Sequence, residues 1–324
     1  MRNLSLEAAI WYLITSPKFF ETAARECEET MEWFGTLAIS RQVANFGRNN
    51  QIFDKLKRRA SDFRQGAELA RLGDYQRIWD TASCISGDAR GMLEQPLHSW
   101  MTAAEYQEFN GVRISRLLAY AGLIESALNN AMTGAESFLD RDPDCPERGD
   151  DDDGFPGDAI LSWYDNYINW DKGQLVPTLG VPLQEYLTDT SIRCHTGDEV
   201  PWTGVWYPRT GLERHSLTFA IKGLRMQPAY RVVKTSEELR TADYMFPPPE
   251  TVAVATIWHP VKPSCHQAAP NEELWAKAGE SCPRAGIWQP TDPGAARRTY
   301  QVGDTMANLG SAFGLTVWRW IADR

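Results

Sequence analysis

The 324-residue sequence is poor in cysteine and in long apolar runs, and each shortage excludes a class of protein. Six cysteines without any Cys-x-x-Cys spacing are too few for a disulfide scaffold, so we expect free thiols in a reducing compartment. The mean hydropathy of -0.43 and the absence of a membrane-length apolar stretch exclude a transmembrane helix. The N-terminus carries Glu7 within an apolar run and has no small-residue cleavage site, which predicts an amphipathic helix and a cytoplasmic location.

Familiar catalytic motifs are also missing. There is no Gly-x-Ser-x-Gly, no phosphate-binding loop and no dinucleotide fingerprint. Several residues of zinc-ligand type lie in the C-terminal half, but no pair has the close spacing of a metal finger; they are Cys194, His195, His215, His259, Cys265, His266 and Cys282. We therefore expect no enzymatic activity, no cofactor and no metal. A structural zinc ion and a metal-dependent hydrolase stay open as alternatives.

The negative charge is concentrated in one short segment. The chain has a net charge of -10, and residues 141–158 hold 2 basic and 8 acidic residues, a net of -6. This segment contains Pro, Gly and four consecutive aspartates, which predicts a solvated linker between domains at 1–140 and 159–324. A sharper alternative is an acidic lure for a basic partner. Because the chain has no basic stripe, nucleic-acid binding is not expected.

The first 140 residues predict an antiparallel helix bundle. Four segments repeat apolar residues at steps of three and four, which places each set on one helical face. Ser16-Pro17, Gly73 and Thr102 with Glu105 supply the expected helix ends. The four stripes are Phe20, Ala24, Cys27, Met31, Phe34 and Ala38; Phe53, Leu56, Ala60, Phe63, Ala67 and Ala70; Tyr75, Ile78, Ala82, Ile85 and Ala89; and Ile114, Leu117, Ala121, Ile124, Leu128 and Ala131.

Residues 159–324 instead predict a strand-rich domain, so the fold class is α+β. Its apolar runs are short, rich in Val, Thr and aromatic residues, and bounded by Gly or Pro. Asp158 and Asn271 are candidate caps of short helices, the second ending before Gly279. The predicted strands are Thr203–Tyr207, His215–Ile221, Tyr230–Val233, Thr251–Trp258, Arg298–Val302 and Leu315–Ile321.

Two stretches of this domain share one pattern: Cys, then Gly-[Val/Ile]-Trp-x-Pro, then Gly-x-x-Met. Each copy predicts a β-hairpin whose tip is the later Gly and whose Trp is a core anchor. The Pro is expected to end the pairing of the first strand. The first copy contains Cys194, Gly204, Trp206, Pro208, Gly223 and Met226, and the second contains Cys282, Gly286, Trp288, Pro290, Gly303 and Met306.

The duplicated block, with the closing Gly-Leu-Thr-Val-Trp-Arg-Trp, resembles large immunity proteins of bacterial polymorphic-toxin systems. Such proteins are often encoded beside type VI secretion effectors. The likeness covers residues 190–320, whereas the helical half matches in general character alone. The resemblance implies a non-enzymatic protein that binds a cognate toxin and neutralises it in the producing cell. An effector-associated adaptor or chaperone is the alternative.

The candidate toxin contacts lie outside the repeated motif. Interface residues must vary with the partner, so the motif residues are expected to maintain the fold. We predict contact with a basic toxin through the acidic run Asp150, Asp151, Asp152 and Asp153, and through Glu199 and Trp202.

Overall fold

The computed structural model describes residues 4–43, 46–135, 185–209, 217–234, 236–241, 250–264, 274–290, 295–309 and 316–322. Helices occupy the first part of the chain, and antiparallel sheets follow after residue 185, which confirms the α+β class. The helices are α1 (Leu4–Ile14), α2 (Pro17–Ser40), α3 (Phe46–Arg71), α4 (Gln76–Leu93), α5 (Ala103–Gln107), α6 (Ser115–Thr133) and α7 (Ser236–Leu239). A 3₁₀ turn spans Leu97–Ser99, and a π-helical segment, Glu108–Ile114, joins α5 to α6.

The predicted helical stripes form the core of the bundle. All but three of their side chains are buried, the exceptions being the partly exposed Met31, Phe53 and Ala131. Ser16 caps α2 by accepting a hydrogen bond from the Phe19 N–H, and Thr102 and Glu105 form the predicted capping box of α5. These ends satisfy backbone N–H groups that have no partner within the helix.

An ion-pair network fastens α3 to α4. The Asp88 carboxylate of α4 lies 2.6 Å from Arg59 Nε and 3.3 Å from Lys55 Nζ, with its side chain 12% exposed. Burial alone would raise the pKa of Asp88, but hydrogen bonds from Arg59 and Lys55 outweigh it and lower that pKa. A lowered pKa means that the carboxylate stabilises the fold above its unfolded pKa of about 3.9, and that this contribution is lost as the pH falls through the folded pKa.

We expect Asp88→Asn to lower the free energy of unfolding by about 2 kcal/mol at pH 7, because hydrogen bonds to a charged group are lost. The difference from the wild type should begin to shrink below about pH 4, where the unfolded carboxylate takes up a proton, and should vanish only below the lowered pKa of the folded state. Denaturant unfolding at pH 7 and pH 3 measures both values. Asp80→Asn, at an exposed position of the same helix, is the matched control and should change little. A pH-independent loss for Asp88→Asn would contradict the network's role.

The sheets are built from short strands. The five-stranded sheet has the order β1-β7-β3-β4, and β2 also pairs with β7. The four-stranded sheet has the order β10-β9-β11-β8, and β5 and β6 form a separate pair. The strands are β1 (Tyr186–Thr188), β2 (Cys194–His195), β3 (Gly204–Arg209), β4 (Thr218–Ala220), β5 (Ala229–Lys234), β6 (Glu250–Val254), β7 (Ile257–Pro263), β8 (Trp275–Lys277), β9 (Gly286–Pro290), β10 (Arg298–Tyr300) and β11 (Val317–Ala322).

The two larger sheets repeat one pairing scheme. β4-β3-β7-β2 corresponds to β10-β9-β11-β8, and Pro208 opposite Trp258 matches Pro290 opposite Trp318. The first core includes Ala229, and six further positions are shared by both cores, where a small side chain such as Ala220 can correspond to a large one such as Tyr300. In the first sheet they are Cys194, Val200, Trp206, Ala220, Met226 and Trp258; in the second, Ala276, Cys282, Trp288, Tyr300, Met306 and Trp318.

Two details of the repeat differ from the sequence-based prediction. The later glycines, Gly223 and Gly303, are not hairpin tips, because the returning strands β4 and β10 end before them. Both lie in turns at positive φ (87° and 92°), and each N–H donates to the opposite loop, to Val200 and Cys282 respectively. Cys282 therefore corresponds to Val200, and Cys194 to Ala276, so the two cysteines are not equivalent.

Two further expectations were wrong. Residues 275–277 form β8 instead of a helix capped by Asn271, because pairing with β11 overrides their local helix preference. The predicted strand Thr251–Trp258 is divided between β6 and β7. The pairing of β3 with β4 ends at Trp206, and β3 continues through Pro208 to Arg209 on the β7 side.

The chain divides into two compact units, residues 1–67 with 75–264 and residues 68–74 with 265–324. The first unit contains the five-stranded sheet and the helices apart from the last turn of α3. Within this unit, α1 packs on β1 and β3. The second contains the four-stranded sheet. This grouping differs from the predicted division into residues 1–140 and 159–324. The acidic segment 141–158 lies outside the described residues, so its assignment as a linker stays a prediction.

Candidate protein-binding surface

Two tight turns of the first unit face each other and form one surface. The first comprises residues 195–199 and the second residues 222–225, and we call them together the turn surface. Four backbone hydrogen bonds of 2.8–2.9 Å join the two loops, including Gly197 N–H to the Met226 carbonyl and Met226 N–H to the Asp198 carbonyl. Gly197 has φ 90° and Gly223 φ 87°, which suits glycine. The backbone of the turn surface is thus held in place before any partner binds.

Exposed charged side chains of both signs lie on this surface. His195 Nδ1 is 3.1 Å from Asp198 Oδ2, and both side chains are more than half exposed. Glu199 pairs with Arg225 through a backbone bridge between the turns. The Arg225 guanidinium donates a 2.7 Å hydrogen bond to the Gly197 carbonyl, which fixes its position. Sequence reasoning identified Glu199 but missed Arg225, since the pairing joins segments 26 residues apart.

Trp202 is half-buried at the edge of the turn surface. Its ring packs on the first-sheet core with its centroid 6.0 Å from that of Trp206, and the Lys262 ammonium lies 5.6 Å from its centroid. The Trp202 carbonyl accepts a 3.3 Å hydrogen bond from Trp206 Nε1. Trp202 therefore packs against the core while part of its side chain stays exposed to solvent. Asp150, Asp151, Asp152 and Asp153 lie outside the described residues.

The motif residues lie mainly in the cores. Trp206 and Trp288 are fully buried, and each indole N–H donates to the carbonyl four residues earlier, at 3.3 Å and 3.0 Å. Gly204, Pro208, Met226, Cys282, Gly286, Pro290 and Met306 are also buried, whereas Gly223 and Gly303 are exposed turn residues.

The cysteines and histidines do not assemble into a metal centre within the described ranges, where no three His, Cys, Asp or Glu side chains converge. His215, Cys265 and His266 lie outside these ranges. Burial raises the pKa of the Cys27 thiol to about 12, so this cysteine is a packing residue. Burial and the nearby Asp198 likewise raise the pKa of Cys194.

No protein-family model, curated protein or solved structure matches this chain. None of the helices in the described ranges combines the length and the apolar character needed to cross a membrane.

Proposed function

We propose that this protein is an immunity protein, which binds a cognate secreted antibacterial toxin and neutralises it in the producing cell. The proposal begins from the resemblance carried by the duplicated block. Most motif residues lie in the two sheet cores, whereas the hydrogen-bonded turns beside the first core carry exposed charged side chains. This separation of core and exposed turns supports the proposal. A rigid scaffold that carries exposed turns suits a binding protein.

The turn surface is the proposed toxin contact. Its backbone hydrogen bonds reduce the loss of conformational freedom on binding. Glu199 and Arg225 supply charges of both signs, and Trp202 supplies a partly accessible aromatic side chain of the type that dominates interface energetics. The acidic run at residues 150–153 would add long-range attraction for a basic toxin, mainly through the association rate.

Co-expression with the product of the adjacent gene tests the function. An immunity protein restores growth of cells that express an active toxin and co-purifies with it. An adaptor or chaperone also co-purifies, but leaves the toxin active and growth arrested. Co-purification without rescue would therefore overturn the proposal in favour of the alternative.

Removing the charges of the turn surface should weaken toxin binding. We expect the double variant Glu199→Ala/Arg225→Ala to raise the toxin Kd about tenfold or more, a total loss of at least about 1.4 kcal/mol, because charged contacts with the toxin are removed. Its melting temperature should stay close to the wild type because both residues are exposed. Calorimetric titration with the purified toxin measures the Kd.

The control removes two exposed charges of opposite sign elsewhere in the same unit. Lys234 Nζ and Glu250 Oε2 form an exposed 2.7 Å pair between β5 and β6. Lys234→Ala/Glu250→Ala should bind toxin like the wild type. Equal affinities for both double variants would place the toxin contact elsewhere.

A further inference from the structure

Helix α1 covers only part of one face of the first sheet. Side chains alternate across a strand, so the Trp206 and Trp258 face forms the core and the opposite face carries Tyr207, Arg209 and His259. In the register, Tyr207 lies directly opposite His259. Helix α1 begins at Leu4 and packs on β1 and β3, which leaves these polar side chains beside the beginning of the helix.

A cavity of about 670 Å³ occupies this position within the first unit. That volume falls in the range of small-molecule sites. Its lining includes two arginines, a histidine, a tyrosine, two threonines and a leucine; the lining residues are Leu4, Thr188, Thr190, Arg193, Tyr207, Arg209 and His259. Among the described residues that line it there is no carboxylate.

The charged and polar groups of the pocket point to an anionic ligand. Neither Arg193 nor Arg209 makes an ion pair with any described residue, although the chain carries a net charge of -10. His259 is 6% exposed, and its Nδ1–H donates a 2.7 Å hydrogen bond to the Ile192 carbonyl, which leaves Nε2 as the free ring nitrogen.

The equivalent position in the second sheet is filled by different side chains. Trp275 occupies the place of Arg193, and Arg319 the place of His259. The Trp275 ring lies between two cations, 4.7 Å from the Arg71 guanidinium and 5.9 Å from that of Arg319. The six core positions correspond between the sheets, but this face differs. In the first sheet an open cationic pocket replaces an aromatic side chain.

We propose that this pocket binds a small organic oxyanion, a phosphate or carboxylate held between the guanidiniums of Arg193 and Arg209, while His259 Nε2 can accept a hydrogen bond from a hydroxyl group of the ligand. Guanidinium groups suit both anions because their N–H groups form paired hydrogen bonds with two oxygens. The Tyr207 ring and Leu4 leave room for an apolar part of the ligand. The site is separate from the turn surface, and the proposal does not depend on toxin binding.

Titration calorimetry of the full chain with pyrophosphate and with citrate tests the site and distinguishes phosphate from carboxylate. We expect at least one probe to bind with a Kd below about 1 mM. Arg193→Gln and Arg209→Gln should each weaken that binding about tenfold, because a charge-assisted contact is lost. Both residues are exposed, so the folded state should persist, and a melting curve verifies it.

Arg231→Gln makes the same change of charge on exposed β5, outside the pocket, and should bind the probe like the wild type. Failure of both probes to bind at about 10 mM would overturn the proposal. Binding that Arg193→Gln and Arg209→Gln leave unchanged, or that Arg231→Gln weakens equally, would also overturn it. Toxin neutralisation by Arg193→Gln should match the wild type, so the two proposals can fail separately.

Discussion

Trp206→Ala and Trp288→Ala should each destabilise the protein instead of selectively abolishing partner binding. Both indoles are fully buried at equivalent positions of the two cores, and each also donates a hydrogen bond to a loop carbonyl. Truncating a buried aromatic side chain costs about 3–5 kcal/mol, a large share of the ~5–15 kcal/mol that stabilises a domain. Thermal and denaturant unfolding, followed by circular dichroism, measure the loss.

Val302→Ala provides the comparison for the tryptophan variants. Val302 is 68% exposed in the turn after β10, and its truncation should change the free energy of unfolding by less than about 0.5 kcal/mol. If both tryptophan variants instead kept the wild-type melting temperature and lost toxin binding, these indoles would be contacts and their assignment to the core would be wrong.

The helix bundle could be predicted because its signal repeats over many turns. A stripe such as Phe20, Ala24 and Cys27 specifies one helical face, and local caps such as Thr102 mark where a helix begins. Each of these signals depends on residues close together in the chain. Helical geometry then needs no knowledge of distant partners to place the side chains inside.

The sheets could be predicted in kind but not in detail. Strands of two or three residues, such as β2 (Cys194–His195) and β8 (Trp275–Lys277), are too short to show alternation. Their pairing with β7 and β11 decides their conformation, and sequence alone does not reveal that pairing. The equivalence of Cys282 with Val200 likewise depends on hydrogen bonds between loops about 20 residues apart.

The cationic pocket could not be predicted for the same reason. Arg193, Arg209 and His259 come from three separate segments, and each alone is an ordinary surface or core residue. The sheet register brings them together by placing Tyr207 opposite His259 and Arg209 two residues further along. The turn surface was partly predicted, because Glu199 and Trp202 lie in the loop directly before the first Gly-Val-Trp motif.

Gly204 is the position where a single methyl group should be least tolerated. A Cβ atom there would lie less than 3.0 Å from three atoms of the Trp202 ring, and the residue has φ 157°. The ring packs against the first core and has little freedom to move away. We expect Gly204→Ala to cost about 3 kcal/mol, of which overpacking supplies ~1–3 kcal/mol and backbone strain the remainder.

A double-mutant cycle separates the two causes. In a Trp202→Ala background, Gly204→Ala should cost about 1 kcal/mol, because the ring is gone and only backbone strain remains. Gly223→Ala is the control: it has φ 87° but nothing within 4 Å of an added Cβ, so it should also cost about 1 kcal/mol in either background. Equal costs of Gly204→Ala with and without the Trp202 ring would show that backbone strain alone limits this position. A smaller cost in the Trp202→Ala background would establish that the indole requires glycine beneath it, and that this candidate toxin contact also acts as part of the fold.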